Sequence, residues 1–395
     1  MFDSIPPLWL VLITFVVGGV ISFATSPLVR QFAHTVGAID VPRDDRRIHK
    51  KPTPRLGGLA IFLGFLAAVL LFAEIDHAMQ GILLGAVVII VLGVIDDIIR
   101  LPAWIKLIVQ ILAALIPVVH GVQISFLSHP IHFTETAAID LGFFSIPLTV
   151  IWIVLITNSV NLIDGLDGLA VGVSAISSVS LLIISVVLTT QDNIAVIMAA
   201  LAGACVGFMP YNLNPAKMFM GDTGATFLGF MLATVSVTGL FKFYTIISFA
   251  VPFLILALPI FDMVSAIIRR LLKGKNPMKP DRSHVHHKLI DMGFSQKQTV
   301  AILYTLSSIL ALAAVVLTTS GELRVIFFLI AVAVAVAISA TLFRRISNVN
   351  GNGNGNGNVD GSGNDNIAGK GNDDGNDSGN GDDGTAQPGS ERDRT

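Results

Sequence analysis

Long apolar segments separated by short polar ones run through most of the sequence. Windows long enough to cross about 30 Å of hydrocarbon recur as far as residue 343. They lack an amphipathic period, as expected where lipid and neighbouring helices are both apolar. The pattern predicts an all-α, polytopic integral membrane protein. Eleven spans are predicted, at residues 8–25, 56–73, 81–95, 103–120, 147–157 (extendable back to 141), 169–189, 194–210, 224–240, 246–268, 299–319 and 325–343.

Composition agrees with this class. Of the 395 residues, 53% are hydrophobic and 13% charged, and the mean hydropathy is +0.75, which is too apolar for a soluble domain of this length. The single cysteine, Cys205, excludes an internal disulfide and any multi-cysteine metal site. Asp3 is the only charged side chain before the first span, so we expect that span to be retained rather than cleaved as a signal peptide.

Basic residues predict the orientation of the spans. Lys and Arg are concentrated in 43–55 and 269–297, whereas 74–80 and 121–146 contain none. The positive-inside rule therefore places the N-terminus outside and the C-terminus in the cytoplasm, and an odd number of spans agrees. Residues 121–146 are predicted to form a short extracytoplasmic loop or hairpin.

The last residues differ in character from the rest. Residues 348–395 repeat Asn-Gly and then alternate Asp, Asn, Gly and Ser, without the apolar content of a folded core. They are predicted to form a disordered cytoplasmic tail. Residues 1–347 are predicted to form one transmembrane domain with cytoplasmic loops.

Oxygen-bearing side chains are concentrated between spans five and six. Asn158, Asn161, Asp164 and Asp167 recur every three residues between two apolar runs. On an α-helix each step of three falls about 60° short of a full turn, so neighbours in the series are adjacent. A polar loop that caps the next helix would give the same pattern. The alternative is a site for a hard cation.

Other polar clusters fall in every second connection, and the predicted topology places all of them on the cytoplasmic side. Each has a plain alternative explanation, such as a solvated helix end, a turn or a topological signal. Their coincidence on one face favours a common site. The clusters are 46–58, Asp96-Asp97 with Arg100, 157–168, 212–224 and 281–288.

This set of side chains suits phosphoryl transfer at a membrane surface. Carboxylate and amide oxygens favour Mg²⁺, or Mn²⁺, over Zn²⁺, and Mg²⁺ is usually shared with substrate phosphates. Lys, Arg and protonated His supply further positive charge to phosphate oxygens. The Gly221–Gly224 turn offers backbone N–H groups at close approach.

Five motifs, in order, resemble those of the polyprenyl-phosphate N-acetylhexosamine-1-phosphate transferases. They are P-T-P-R-L-G-G (52–58), G-V-I-D-D (93–97), N-S-V-N-L-I-D-G-L-D-G-L-A (158–170), M-G-D-T-G (220–224) and H-V-H-H-K (284–288). The resemblance runs from about residue 46 to about residue 293. It implies a Mg²⁺-dependent transfer of a sugar-1-phosphate from a UDP-sugar to undecaprenyl phosphate, with release of UMP, in the bacterial cytoplasmic membrane.

The resemblance also implies roles for individual positions. Asn161 and Asp222 would be metal ligands, and Arg100 departs from the lysine of the translocase branch. The implied catalytic residues are Asp96, Asp97, Asp164, Asp167, His284, His286 and His287, and the implied substrate-binding residues are Lys50, Arg55, Asn158, Asp167 and Arg282.

The histidine motif indicates which sugar is transferred. Preceded by Pro280–Ser283, it resembles the GlcNAc-type enzymes, so UDP-GlcNAc is preferred over UDP-MurNAc-pentapeptide as donor. A homodimer is compatible with this interpretation, and no nucleic-acid partner is expected. A membrane transporter would require ionisable residues near the bilayer midplane and repeated halves, and an inactive scaffold would require degraded acidic motifs. Both alternatives are disfavoured.

Overall fold

The computed structural model describes residues 7–41, 52–128, 138–187, 192–239, 246–274 and 284–319. Within these ranges the chain is mainly helical, which confirms the all-α prediction. The helices are α1 (Leu8–Thr35), α2 (Gly57–Phe72), α3 (His77–Ile99), α4 (Ala103–Val119), α5 (Ser145–Ile163), α6 (Leu169–Val187), α7 (Asp192–Asn212), α8 (Gly221–Gly239), α9 (Ile246–Ile255), α10 (Ala257–Leu272), α11 (Val285–Asp291) and α12 (Gln296–Thr319).

Six of the described helices are long and apolar enough to cross a membrane, namely α1, α3, α5, α6, α7 and α12. Helices α2 and α4 are apolar but shorter. The chain is therefore a multi-pass membrane protein. Predicted spans one to eight and span ten each coincide with one helix, and α5 begins at Ser145, so the backward extension of span five is confirmed. The predicted span 325–343 and the tail 348–395 lie outside the described residues.

The prediction of one continuous span at 246–268 is wrong. The chain breaks at Leu256, between α9 and α10. Pro259 lies in the first turn of α10 and has no N–H group to donate to the carbonyl of Ile255. The loss of that hydrogen bond accounts for the break. Apolar composition alone could not show it.

Helix α8 is the centre of the bundle. All of its residues from Thr223 to Val237 are buried, and it packs against α2, α3, α5 and α6. Two of its buried hydroxyls, those of Thr226 and Thr234, are satisfied within the helix, since they donate to backbone carbonyls one turn earlier. A helix that is enclosed on all sides in this way positions its first turn rigidly.

Small residues bring the helices into close contact. Gly19 of α1 faces Gly203 and Gly207 of α7, and Gly18 faces Ala200. An added Cβ atom at any of these glycines would meet backbone atoms of the partner helix. Interfaces of this kind are typical of membrane helices, whose association depends on close packing rather than on the hydrophobic effect.

Two short hairpins join helices. Strands β1 (Ile39–Asp40) and β2 (Thr53–Pro54) pair antiparallel, as do β3 (Phe126–Ser128) and β4 (Ala138–Asp140). The second pair confirms the hairpin predicted within 121–146. A single 3₁₀ turn, Gly142–Phe144, leads into α5.

The tightest helix contact lies beside the polar residues. The N–H groups of Gly57 and Gly58 donate to the carbonyls of Phe219 and Met220, at 3.0 and 2.8 Å. A Cβ atom added at Gly58 would overlap the backbone of Gly224. This contact leaves no room for a side chain between α2 and α8.

We therefore expect Gly58→Ala to destabilise the protein by about 1–3 kcal/mol, because neither backbone can yield without breaking these hydrogen bonds. Thermal unfolding of the detergent-solubilised protein measures the effect. Leu70→Ala is the control, since Leu70 is 60% exposed on the same helix. Equal melting temperatures for the two variants would contradict the close-contact interpretation.

Candidate active site

A cavity of about 290 Å³ lies where the polar connections meet. It is lined by carboxylates from four parts of the chain, by one guanidinium and by one imidazole. The predicted convergence of the clusters is therefore confirmed for the residues that line it. They are Asp40, Arg55, Asp97, Asp164, Gly165, Leu166, Asp167, Asn212, Phe219, Gly221, Asp222, His287 and Gln296.

The neighbouring carboxylates at the end of α3 have different partners. Asp97 is 2% exposed, and both of its oxygens accept hydrogen bonds from the first turn of α8. Oδ1 accepts from the Asp222 N–H at 3.1 Å, and Oδ2 from the N–H and hydroxyl of Thr223 at 3.0 and 2.6 Å. Asp97 thus caps α8 from a different helix. That contact places Asp97 as an anchor for Asp222.

Asp96 points instead toward α4. Its Oδ1 accepts from the Leu101 N–H at 2.7 Å, and its Oδ2 lies 2.9 Å from Lys106 Nζ. The same Nζ lies 2.8 Å from Asp222 Oδ2. Lys106 therefore bridges two carboxylates from distant motifs. Asp96 is not among the cavity-lining residues, and it reaches the site through Lys106 and through its side-chain contact with Asp222.

The loop between α5 and α6 contributes two carboxylates that differ in their hydrogen bonding. Asp167 Oδ2 accepts from Asn214 Nδ2 at 2.9 Å and from the Ala216 N–H at 3.1 Å. Asp164 accepts no hydrogen bond from the described residues. Burial, together with the charges of Asp222, Asp97 and Asp167, raises the pKa of Asp164 to about 8.

The two predicted amides of this motif lie on α5, outside the lining of the cavity. Asn158 Nδ2 donates to Gln110 Oε1 at 2.6 Å and to the Val154 carbonyl at 2.8 Å. The bond to Gln110 links α5 to α4, and the role of Asn158 in substrate binding stays a prediction. Asn161 is half-buried one turn before Asp164, and its role as a metal ligand stays a prediction.

The three histidines occupy different environments. His284 and His286 are 5% and 3% exposed, and His287 lines the cavity. The rings of His286 and His287 are 4.4 Å apart, and His286 packs on Gly165 of the aspartate loop. Burial and the neighbouring His287 lower the pKa of His286 to about 4. His286 is therefore neutral at pH 7, and its catalytic role stays a prediction.

Arg55 contributes the guanidinium of the cavity. It lies after β2, and its Nε and Nη2 groups donate to the Asp97 carbonyl at 3.1 and 2.8 Å. This contact fixes the side chain beside the carboxylates. Lys50 and Arg282, the other predicted basic residues of the donor site, lie outside the described residues. Arg100 contacts Asp40 across an exposed 3.5 Å ion pair.

The donor set suits a hard divalent cation. Asp164 and Asp222 both line the cavity, and burial together with neighbouring carboxylates raises the pKa of Asp164, so that a bound cation would stabilise its ionised form. Among the described residues no group of three or more Asp, Glu, His or Cys side chains could hold an ion without other ligands. This arrangement fits Mg²⁺, which keeps water or substrate phosphate in part of its coordination shell.

Sequence reasoning missed several residues in and around the site, among them three that contact its predicted side chains. Lys106 and Asp262 are charged residues within apolar segments, a signal that could have identified both. Asn214 holds Asp167 and Gln296 together, with Nδ2 at 2.7 Å from Gln296 Oε1. Nothing in the local sequence distinguishes it from an ordinary turn asparagine.

Comparison with known proteins agrees with the site. The model of glycosyl transferase family 4 matches residues 79–240. A Bacillus subtilis protein named probable undecaprenyl-phosphate N-acetylglucosaminyl 1-phosphate transferase is 40% identical over 326 residues, 81% of this chain and 89% of its own length.

Two further relatives cover comparable lengths. The Mycobacterium tuberculosis decaprenyl-phosphate N-acetylglucosaminephosphotransferase is 38% identical, over 74% of this chain and 78% of its own. A Halalkalibacterium halodurans phospho-N-acetylmuramoyl-pentapeptide-transferase is 32% identical, over 78% of this chain and 97% of its own length. By these similarities the chain belongs to glycosyl transferase family 4, the polyprenyl-phosphate N-acetylhexosamine-1-phosphate transferases.

Proposed function

We propose that this enzyme transfers GlcNAc-1-phosphate from UDP-GlcNAc to undecaprenyl phosphate, giving undecaprenyl-pyrophosphoryl-GlcNAc and UMP. The observation that carries the proposal is the cavity in which Asp164, Asp167 and Asp222 face Arg55 and His287. Carboxylates that can hold a cation, together with the guanidinium of Arg55, match the charge distribution of a pyrophosphate donor. The product would begin a cell-envelope glycan such as teichoic acid or O-antigen.

The relatives support GlcNAc as the sugar. The 40% and 38% identical proteins are named for N-acetylglucosamine, whereas the phospho-N-acetylmuramoyl-pentapeptide-transferase is 32% identical. UDP-MurNAc-pentapeptide is therefore the second candidate donor. The names also differ in prenyl length, so the supported acceptor class is a polyprenyl phosphate.

In the proposed reaction a phosphate oxygen of the lipid bonds to the β-phosphorus of the donor, and the bond from that phosphorus to the bridging oxygen of UMP breaks. Lys106 and Arg55 would neutralise charge around the reacting phosphates, and His287 faces the same space. Asp97 would act by holding Asp222 in place. Catalysis would then rest on positioning and electrostatics, as is usual for phosphoryl transfer.

Mg²⁺ is the proposed cofactor, with Mn²⁺ as a substitute. Asp222 and Asn161 would hold it, with Asp164 close by. When bound, it would neutralise negative charge on the pyrophosphate. Support comes from the excess of carboxylates over cationic groups around the cavity.

The proposed placement has the N-terminus outside, eleven spans and the cavity on the cytoplasmic face of the bacterial plasma membrane. The basic residues of 43–55 and 269–297 support this orientation. Undecaprenyl phosphate would then present its phosphate from within the bilayer to the cytoplasmic donor. Homodimer formation stays a prediction.

Incubation of membranes containing the protein with UDP-[¹⁴C]GlcNAc, undecaprenyl phosphate and Mg²⁺ should give radiolabel in the lipid phase. EDTA should abolish the incorporation, and added Mg²⁺ should restore it. A parallel incubation with labelled UDP-MurNAc-pentapeptide tests the second donor. Lipid label from that donor alone would overturn the choice of sugar.

Asp222→Ala should reduce transfer by about 10²-fold or more, because it removes the predicted metal ligand and one of the two carboxylates that Lys106 bridges. The variant should still elute as a folded protein in detergent. Glu74→Ala, an exposed carboxylate between α2 and α3, is the control and should keep full activity. More than a few per cent of wild-type transfer in Asp222→Ala would contradict its assignment.

The raised pKa of Asp164 predicts that Mg²⁺ binds more weakly as the pH falls. Below about pH 8 the carboxyl is protonated in the metal-free protein, so binding must displace a proton. The Mg²⁺ concentration for half-maximal transfer should rise by up to about tenfold per pH unit between pH 8 and 6.5. In Asp164→Asn the Mg²⁺ concentration for half-maximal transfer should depend less steeply on pH. An unchanged pH dependence in that variant would show that another group causes it.

A further inference from the structure

Asp262 is a buried carboxylate that the proposed reaction does not use. It lies on α10, is 1% exposed and belongs to none of the sequence motifs that surround the cavity. A buried carboxylate in a mainly apolar helix is costly unless it is paired and hydrogen-bonded. Its partners therefore indicate why it is there.

Both oxygens of Asp262 bind the start of the histidine motif. Oδ2 lies 2.9 Å from His284 Nδ1, and Oδ1 accepts the Val285 N–H at 2.9 Å. A carboxylate that accepts two hydrogen bonds is stabilised in its ionised form, so His284 Nδ1 is the donor. Asp262 thereby determines which ring nitrogen of His284 carries a proton.

The Val285 contact replaces a missing helix cap. Helix α11 begins at Val285, and its own N-cap residue, His284, makes no side-chain capping bond. Asp262 supplies that acceptor from α10. The position of α11 relative to α10 is thus set by one side chain.

The histidine rings connect Asp262 to the cavity through successive contacts. His284 and His286 are stacked with ring centroids 5.8 Å apart and an interplanar angle of 6°, and His286 contacts His287. His286 also packs on Gly165, next to Asp164. A shift of His284 would consequently move His287 relative to the aspartate loop.

We propose that Asp262 is a positioning residue for the transfer reaction, which orients His284 and through it sets His287 in the cavity. This inference rests on the proposed function. Asp262 does not line the cavity, so its effect on turnover passes through the histidines.

The Asp262→Asn variant tests the orientation of His284 while it keeps the cap on α11. Asparagine keeps an oxygen for the Val285 N–H but loses the charge that holds His284 Nδ1–H. We expect kcat per folded enzyme to fall about 10–100-fold, the usual cost of removing a carboxylate that orients a functional histidine. The KM for UDP-GlcNAc and the melting temperature should stay near wild type. Asp291→Asn, an exposed carboxylate-to-amide change on α11, is the matched control.

The His284→Asn variant removes the hydrogen bond between Asp262 and His284 by changing its other member. It should give a comparable loss of kcat. The double variant should lose little more than either single variant, because the two residues act as one unit. Full additivity, or wild-type kcat in either single variant, would overturn the proposal. His284→Asn keeps the test decisive even where Asp262 variants fold poorly.

A second readout is independent of turnover. In ¹⁵N-histidine spectra of the wild-type protein, the His284 signal, identified by its loss in His284→Asn, should show a protonated Nδ1. Asp262→Asn should shift it, and an unshifted signal would refute the orienting role. If the wild-type protein shows no transfer but Asp262→Asn still shifts the His284 signal, the proposed function is refuted and the contact between Asp262 and His284 is supported. If the wild-type protein is active and Asp262→Asn has the same kcat, only the role of Asp262 is refuted.

Discussion

The contact between Asp97 and the first turn of α8 is the interaction on which the site depends. One buried carboxylate accepts the N–H groups of Asp222 and Thr223 and the Thr223 hydroxyl, and so joins the end of α3 to the start of the central helix. The unpaired N–H groups at a helix start need acceptors, and water is scarce among packed helices. Because the same contact positions Asp222, the requirements of folding and of the candidate chemistry coincide in one residue.

Charge around the cavity is balanced by few cations. Lys106 spans Asp96 and Asp222, and Arg55 lies beside Asp97. Asp164 has no such partner among the described residues, and its pKa is raised first by burial and then by the charges of neighbouring carboxylates. In the proposed function a divalent cation would take the place of the missing side-chain partner.

Separate helices supply the support behind this site. Asp97 holds α8 from α3, Asp262 holds the histidine helix from α10, and Asn214 joins Asp167 to Gln296 of α12. Each support is a buried or half-buried polar side chain whose hydrogen bonds go to protein groups. Such contacts are favoured in a bundle where unsatisfied polar groups cost several kcal/mol, on the order of a whole hydrogen bond.

The sequence by itself determined the all-α membrane class, the positions of nine helices at predicted spans and the convergence of the aspartate motifs, because span length and apolar composition are local properties. Only the tertiary structure decided that Asp97 caps α8, that Asn158 bonds Gln110 and that His287 and not His286 lines the cavity. These outcomes depend on which atoms lie opposite one another across helices distant in sequence. Residue type and spacing carry no information about that pairing.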